Sequence, residues 1–247
     1  MTSTLLQTSD ISIIIPTLNE ESQIGNWQKL QSLVGGRFCA IPGAHDTGAS
    51  IPCEIIIVDG GSSDQTVSLA RDQGFRVEAC NSGRGAQLNH GARLASGRIL
   101  LFLHADTELP ADFATPLLHC LNKTSTLAGA FSLTIQDAGL LLQAVCFGAN
   151  LRSRLLHLPY GDQAIFIRRD DFLRLGGFPE APIMEDFIFI KRARQEGRIT
   201  TLPQRVTTSA RRWQRLGAIR TTLINQLVII GFYVRVPLQK LASLYRR

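Results

Sequence analysis

Three short stretches limit the fold more than anything else in the chain: ISIIIP at residues 11–16, EIIIVD at 54–59 and RILLFLHAD at 98–106. Each is apolar on consecutive rather than alternate positions and rich in branched aliphatics. That is the pattern of a strand buried on both faces, as in a parallel sheet covered by helices. Each run also stops at a residue foreign to a core: Pro16, then Asp59, then His104 and Asp106.

The segments between these runs have helical character. After the first, Asn19 is a candidate N-cap with acids in the first turn, and Ile24, Trp27, Leu30 and Val34 recur at helical spacing. A helix is expected from about Gln65 to Gln73, a strand over FRVEAC and a helix over GAQLNHGARLAS, whereas residues 35–52 read as a loop rich in Gly, Pro and Ser. The resulting β-α-β-α-β-α-β order implies an α/β fold with a central, mostly parallel sheet flanked by helices. In such a sheet a ligand lies beyond the carboxyl ends of the strands, where Thr17 to Glu20, Asp59 and Asp106 collect. Either aspartate alone is equally well read as a cap of the turn that follows it.

A chain of 247 residues, 45% hydrophobic and 19% charged, can bury a sizeable core, which excludes disorder. Five scattered cysteines without CxxC or zinc-type spacing read as reduced packing thiols of a cytosolic protein. The opening MTSTLLQTSDISIIIPT has no basic region ahead of an apolar one, so export is not expected. Residues 223–241 carry Asn225, Gln226 and Arg235 and fall short of the roughly 20 apolar residues of a membrane span, which leaves a packed or membrane-surface helix. Charge is divided: residues 191–247 carry +12 and the first 190 residues carry −6. Such a basic end attracts polyanions in general, but no interleaved aromatics or recognised module point to nucleic acid.

Familiar phosphate loops are missing. The turn after the first run, PTLNEES, has no glycine, GRGAQLNHG lacks the third glycine of a dinucleotide fingerprint, and GxxxxGK[ST] does not occur. Instead SIIIPTLNEES, IIIVDGGSSDQT, GRGAQLNHGARLASGRILLFLHADTELP, GGF and MEDFIFIKRAR resemble, in family order over about residues 11–196, the successive blocks of a family 2 glycosyltransferase. Within it the chain most resembles a small bacterial subgroup with HADT in place of Asp-x-Asp. The resemblance implies a single GT-A (Rossmann-like) domain over 1–247. It would comprise a nucleotide-sugar-binding half at about 11–106, an acceptor and catalytic half at 107–215, and a C-terminal helical segment at 216–247.

The resemblance further implies inverting transfer of a hexosyl-type sugar from a nucleotide-diphosphosugar to an acceptor hydroxyl, with a divalent cation, Mn²⁺ or Mg²⁺. Carried over residue by residue, Pro16, Thr17, Glu20, Asp59 and Arg84 surround the nucleotide, Asp106 faces metal and ribose, and Asp186 is the general base. A hard cation wants carboxylate oxygen, which Asp106 supplies. His104 occupies the first acidic position of the motif. As a ligand it would favour Mn²⁺ over Mg²⁺, and it equally suits a supporting or packing role. Asp186 in a first helical turn stays ionised, as a base requires, though Glu185 or Asp186 could serve only as caps. Gly161, Asp162, Gln163, Gly177 and Glu185 fall on the acceptor side. Arg211 and Arg212 suit a diphosphate or a solvated basic face. SARRWQRLG resembles only loosely the Gln-x-x-Arg-Trp block of processive members, and processivity is not implied.

A sugar-phosphate nucleotidyltransferase and a catalytically idle nucleotide-binding module are the alternatives. The first lacks its glycine-rich basic loop, and the second has no need of Asp186. The acceptor, its attachment to a lipid and any homo-oligomer stay open. So does the stripe Leu223, Leu227, Ile230 and Val234, which suits either packing on the domain or another subunit, or peripheral contact with the inner face of a membrane.

Overall fold

The computed structural model describes residues 10–34, 38–39, 51–80 and 83–246. The first half comprises β1 (Ile11–Thr17), α1 (Ile24–Leu33), β2 (Phe38–Cys39), β3 (Ile51–Asp59), α2 (Thr66–Asp72), β4 (Arg76–Ala79), α3 (Arg84–Leu94) and β5 (Ile99–Phe102). Then come β6 (Thr107–Glu108), α4 (Ala114–Leu121), β7 (Thr126–Ile135), α5 (Leu140–Leu155), β8 (Phe166–Arg168), α6 (Arg169–Arg174) and α7 (Glu185–Glu196). β9 (Arg198–Thr208), α8 (Arg211–Leu216), α9 (Ala218–Tyr233) and α10 (Leu238–Arg246) complete the chain.

The strands form one mixed sheet in the order β2-β3-β1-β5-β8-β7-β9-β6, with β4 also on β3. β1 runs parallel between β3 and β5, so that Thr17 stands opposite Asp59 and Ile14 opposite Phe102. The expected alternation of strand and helix therefore holds through β5. Beyond it β8 enters antiparallel, and β7 and β9 form a second long parallel pair.

Consecutive apolar residues in β1 are explained by burial on both sides. Ile13 and Ile15 pack with Trp27 and Leu30 on one face, while Ile14 packs with Leu88 and Phe189 on the other. All three isoleucines are fully buried, and each such side chain contributes about 1.5–3 kcal/mol by leaving water.

Some expectations change. Asn19 caps no helix: it adopts φ 55°, and its Oδ1 accepts from the Ser63 N–H at 2.8 Å, joining the ends of β1 and β3. Within the expected loop at 35–52, Phe38–Cys39 pairs antiparallel with Ile51 and Pro52, and residues 35–37 and 40–50 lie outside the described residues, as do 1–9. Cys80, Cys120 and Cys146 carry free thiols. The C-terminal segment is helical as expected, but α9 packs through Ile224 and Val228, beside Leu241 of α10, and its stripe of Leu223, Leu227, Ile230 and Val234 is turned outward.

Candidate active site

The carboxyl ends of β1, β3 and β5 open into a cleft of about 800 Å³, walled by Pro16, Thr17, Glu20, Gly60, Arg84 and Asp106. Its far side is closed by Gln239 and Tyr245 of α10. At the mouth the Arg211 guanidinium donates to Glu20 Oε2 at 2.8 Å and to Asp106 Oδ2 at 3.3 Å, so two carboxylates converge on one cation. Burial pushes the Glu20 carboxyl above its usual range against the pull of Arg211.

A second, smaller chamber of about 170 Å³ adjoins the cleft and is lined by Tyr160, Asp162, Met184, Asp186, Phe187 and Asn225. Arg84, His104, Glu185 and Tyr245 border both spaces. Arg84 Nε pairs with Glu185 Oε1 at 3.1 Å, and its Nη2 meets His104 Nε2. Burial, reinforced by the charge of Arg84, holds His104 well below the usual histidine range and keeps it neutral. Burial raises the Glu185 carboxyl, with Arg84 opposing and Asp186 adding to the rise.

Asp186 stands in the first turn of α7, which is entered through Met184 in the left-handed region at φ 66°. The helix dipole favours a carboxylate there. Its Oδ2 accepts from the Gly161 N–H and its Oδ1 from the Phe187 N–H at 2.7 Å, and each oxygen keeps a further lone pair. Gly161 is the node of the site. A Cβ there would lie 2.7 Å from Arg84 Nη2 and 2.9 Å from both Asp186 Oδ2 and His104 Nε2. Two buried oxygens, Asp162 Oδ1 and Asn225 Oδ1, find no hydrogen-bond partner among the described residues. Desolvation pushes the Asp162 carboxyl up to about 6, with Arg152 opposing and Asp186 adding to the rise.

The scaffold beneath is aromatic and tightly tied. Rings of Phe102, Phe172, Phe178 and Phe189 pack at centroid distances of 4.8–5.3 Å, joining β5 to α6 and α7. The Asn89 side chain donates to Phe178 O at 2.8 Å and accepts from its N–H at 2.9 Å, fixing the turn that leads to α7. Gly177 in that turn has φ 67°, and a Cβ would lie 2.5 Å from Asn89 Oδ1. Trp27 Nε1 donates to Ala105 O at 2.8 Å and holds the HADT turn on α1.

Of the residues singled out by sequence, Pro16, Thr17, Glu20, Arg84, His104, Asp106 and Glu185 line the cleft, and Asp162 and Asp186 line the chamber. Others are placed differently. Asp59 accepts from the Gly61 and Ser62 N–H groups at 2.9 Å and the Ser62 hydroxyl at 2.5 Å, within the turn it opens. Gln163 is fully buried and donates to Phe131 O and Ser153 Oγ in the core. Gly177 acts through its turn. Arg212 stacks over the Tyr245 ring at 3.5 Å and anchors α10, while Arg211 alone reaches the carboxylates.

Sequence reasoning missed Gln87, Tyr245 and Asn225. The Gln87 amide donates to Thr17 O at 2.9 Å and Val58 O at 2.8 Å, stapling β1 to β3 below the cleft. A glutamine among the glycines, alanines and Leu88 of the buried face of α3 was its signal. Tyr245 carried none, because α10 returns to the cleft from the far end of the chain.

The family model for glycosyl transferase family 2 matches residues 12–141. No curated protein matches the chain. Among solved structures, a mannosyltransferase from Pyrobaculum calidifontis in complex with GDP-Man and Mn²⁺ superposes with a TM-score of 0.64 at 20% identity, covering 97% of this chain and 69% of that one. TarS 1–349 from S. aureus in complex with UDP-GlcNAc gives a TM-score of 0.59 at 18% identity over 81% of this chain. This chain spans only 58% of that TarS fragment. GalNAc-T7 with UDP, GalNAc and Mn²⁺ gives 0.57 at 17% identity, over 83% of this chain and 44% of that one. At such identities these likenesses establish a shared fold.

Proposed function

The chain belongs to glycosyl transferase family 2, and from that premise we propose that it moves a sugar from a nucleotide-diphosphosugar donor in the larger cleft to a hydroxyl acceptor in the adjoining chamber, with inversion. The observation that carries this reading is the shared wall. Asp186 stands on the chamber side and Glu20 and Asp106 on the cleft side, with Arg84, His104 and Glu185 bordering both spaces. The HADT stretch suits the small subgroup with that motif. Residues 11–106 would serve the donor, 107–215 the acceptor and catalysis, and 216–247 the closure of both spaces.

Asp186 would take the acceptor proton onto its carboxylate as the hydroxyl oxygen attacks the anomeric carbon, and the bond to the diphosphate breaks on the opposite side. The Gly161 and Phe187 N–H groups fix its two oxygens in place. Asp162 and Asn225 offer free oxygens that would accept from other acceptor hydroxyls and orient them. Arg84 and Arg211 would pair with diphosphate oxygens as negative charge gathers there. Pro16, Thr17 and the turn held by Asp59 would cradle the nucleoside.

A divalent cation fits the cleft. Asp106 and Glu20 already converge on a guanidinium, and carboxylate oxygens are the donors a hard cation prefers. Among the described residues no three metal-ligating side chains cluster, so Asp106 would hold the ion together with diphosphate oxygens and water, as suits Mg²⁺ or Mn²⁺ in phosphate chemistry. Bound there, the ion would offset the charge of the leaving diphosphate. His104 directs Nε2 at Arg84 and would hold that guanidinium in the shared wall.

The experiment is a panel of UDP-, GDP- and dTDP-sugars with Mn²⁺, read by thermal shift and by release of the nucleoside diphosphate. One donor should raise the melting temperature and turn over slowly in water. No shift with any member would overturn the reading, and a shift without turnover on any acceptor would favour an idle nucleotide-binding module.

A further inference from the structure

α5 and α9 pack against each other, and both turn an apolar stripe to solvent. On α5 the stripe is Leu140, Phe147, Leu151 and Leu155, at 86%, 69%, 45% and 67% exposure, while Cys146 and Ser153 face inward. On α9 it is Ile219, Leu223, Leu227 and Ile230, each more than half exposed, while Thr221, Ile224, Val228 and Gly231 face inward. Apolar side chains recurring at helical spacing on the outside of two neighbouring helices form a patch that a soluble monomer rarely leaves bare.

Charge identifies the occupant. No acidic residue occurs between Asp137 and Asp162, nor anywhere after Glu196. Positive groups edge the stripes instead. Arg194 donates to Leu156 O at the end of α5, Lys191 sits 4.9 Å over the Tyr233 ring at the end of α9, and Arg215 and Arg220 are exposed at its start. None of these four takes part in an ion pair among the described residues. An apolar stripe with a cationic edge matches an anionic lipid surface, in which acyl chains lie below phosphate. A second copy is a poorer match, because a twofold contact would set these cations against their equals. No helix among the described residues is long and apolar enough to cross a membrane.

We propose that the α5–α9 face is a monotopic docking surface for anionic lipid bilayers. It lies on the surface with its leucines among the acyl chains and its arginines at headgroup phosphates. The inner side of α9 supplies Asn225, Val228 and Ile229 to the chamber, so docking brings the chamber within about one helix diameter, roughly 10 Å, of the lipid. Only this last consequence rests on the catalytic reading. Docking itself is tested without donor or acceptor.

The test is flotation of the full chain with vesicles of phosphatidylglycerol and phosphatidylcholine, against phosphatidylcholine alone. The protein should float with the anionic vesicles and stay below with the neutral ones. R215Q and R220Q together should weaken partitioning about 25-fold, at about fivefold for each cation lost near the surface. L223S/L227S/I230S should abolish flotation, and because these side chains are more than half exposed its circular dichroism and melting should match the parent. Failure to float, equal flotation with both vesicles, or a solution dimer that the serine variant dissolves would each overturn the proposal.

Discussion

Arg211 and Asp106, 105 residues apart in the chain, meet at 3.3 Å across the mouth of the larger cleft, and the same guanidinium holds Glu20 at 2.8 Å. The pair joins the end of the HADT turn to the start of α8, and the positive charge stands between two carboxylates where a donor's cation would bind. If that is the role of Asp106, D106A should weaken nucleoside diphosphate binding strongly in Mn²⁺ and little without it. Calorimetry in the two conditions decides. Equal loss in both would leave Asp106 a residue that only shapes the turn.

Asp186 offers the chamber a carboxylate held by two backbone N–H groups. Asparagine keeps the shape and removes the basicity. D186N should lower the transfer rate by about 10²–10⁴, the usual contribution of a general base, while donor affinity stays near normal. Steady-state rates beside donor binding by thermal shift separate the two, and near-normal turnover would move the base elsewhere.

How far these residues could be read from sequence follows the length scale of the cause. The ends of β1, β3 and β5 were legible because burial on both faces forces consecutive apolar residues, and the polar residues that end such runs gather at one edge of the sheet, Thr17 and Asp106 in the cleft and Asp59 in the turn beside it. The place of Asp186 in a first helical turn was legible, but that start alone suits a cap equally well, and its role as base came from the resemblance. The contacts of Arg211 with Glu20 and of Tyr245 with the cleft were not, because α8 and α10 come back to the sheet over distances that no local pattern encodes. The stripe on α9 was visible as a period, but period alone does not say whether a stripe faces protein or solvent. Asn19 misled for a related reason. Asn suits a cap and a left-handed turn equally, and its partner Ser63 belongs to the next strand's loop.

Gly161 tests how closely the shared wall is packed. A methyl group there would press on Arg84, Asp186 and His104 together, all within 3 Å of its position. Its backbone lies outside the left-handed region, so alanine fits the chain conformation and the effect falls on the neighbours. G161A should fold but lose on the order of 10² in transfer rate, the scale of a misplacement near 1 Å. Unaltered kinetics in a variant that melts normally would show that the wall gives way without consequence.

Asp162 supplies a prediction about stability alone. Burial raises its carboxyl from an ordinary 3.8 to about 6, so between these values the folded chain holds a proton that the unfolded chain has released. Its contribution is therefore fully present below about pH 4 and is lost as pH rises through about 6, which by linkage is on the order of 3 kcal/mol. Glu20 and Glu185 are raised by burial as well and tilt the parent's profile in the same direction. The informative quantity is thus the difference between parent and D162N, in which these shared terms cancel. Denaturant melts from pH 4 to pH 7.5 should show the parent losing stability relative to D162N, chiefly between about pH 4 and pH 6.5. Parallel profiles would mean that Asp162 stays ionised in the fold, paired by Arg152 more closely than its buried setting implies.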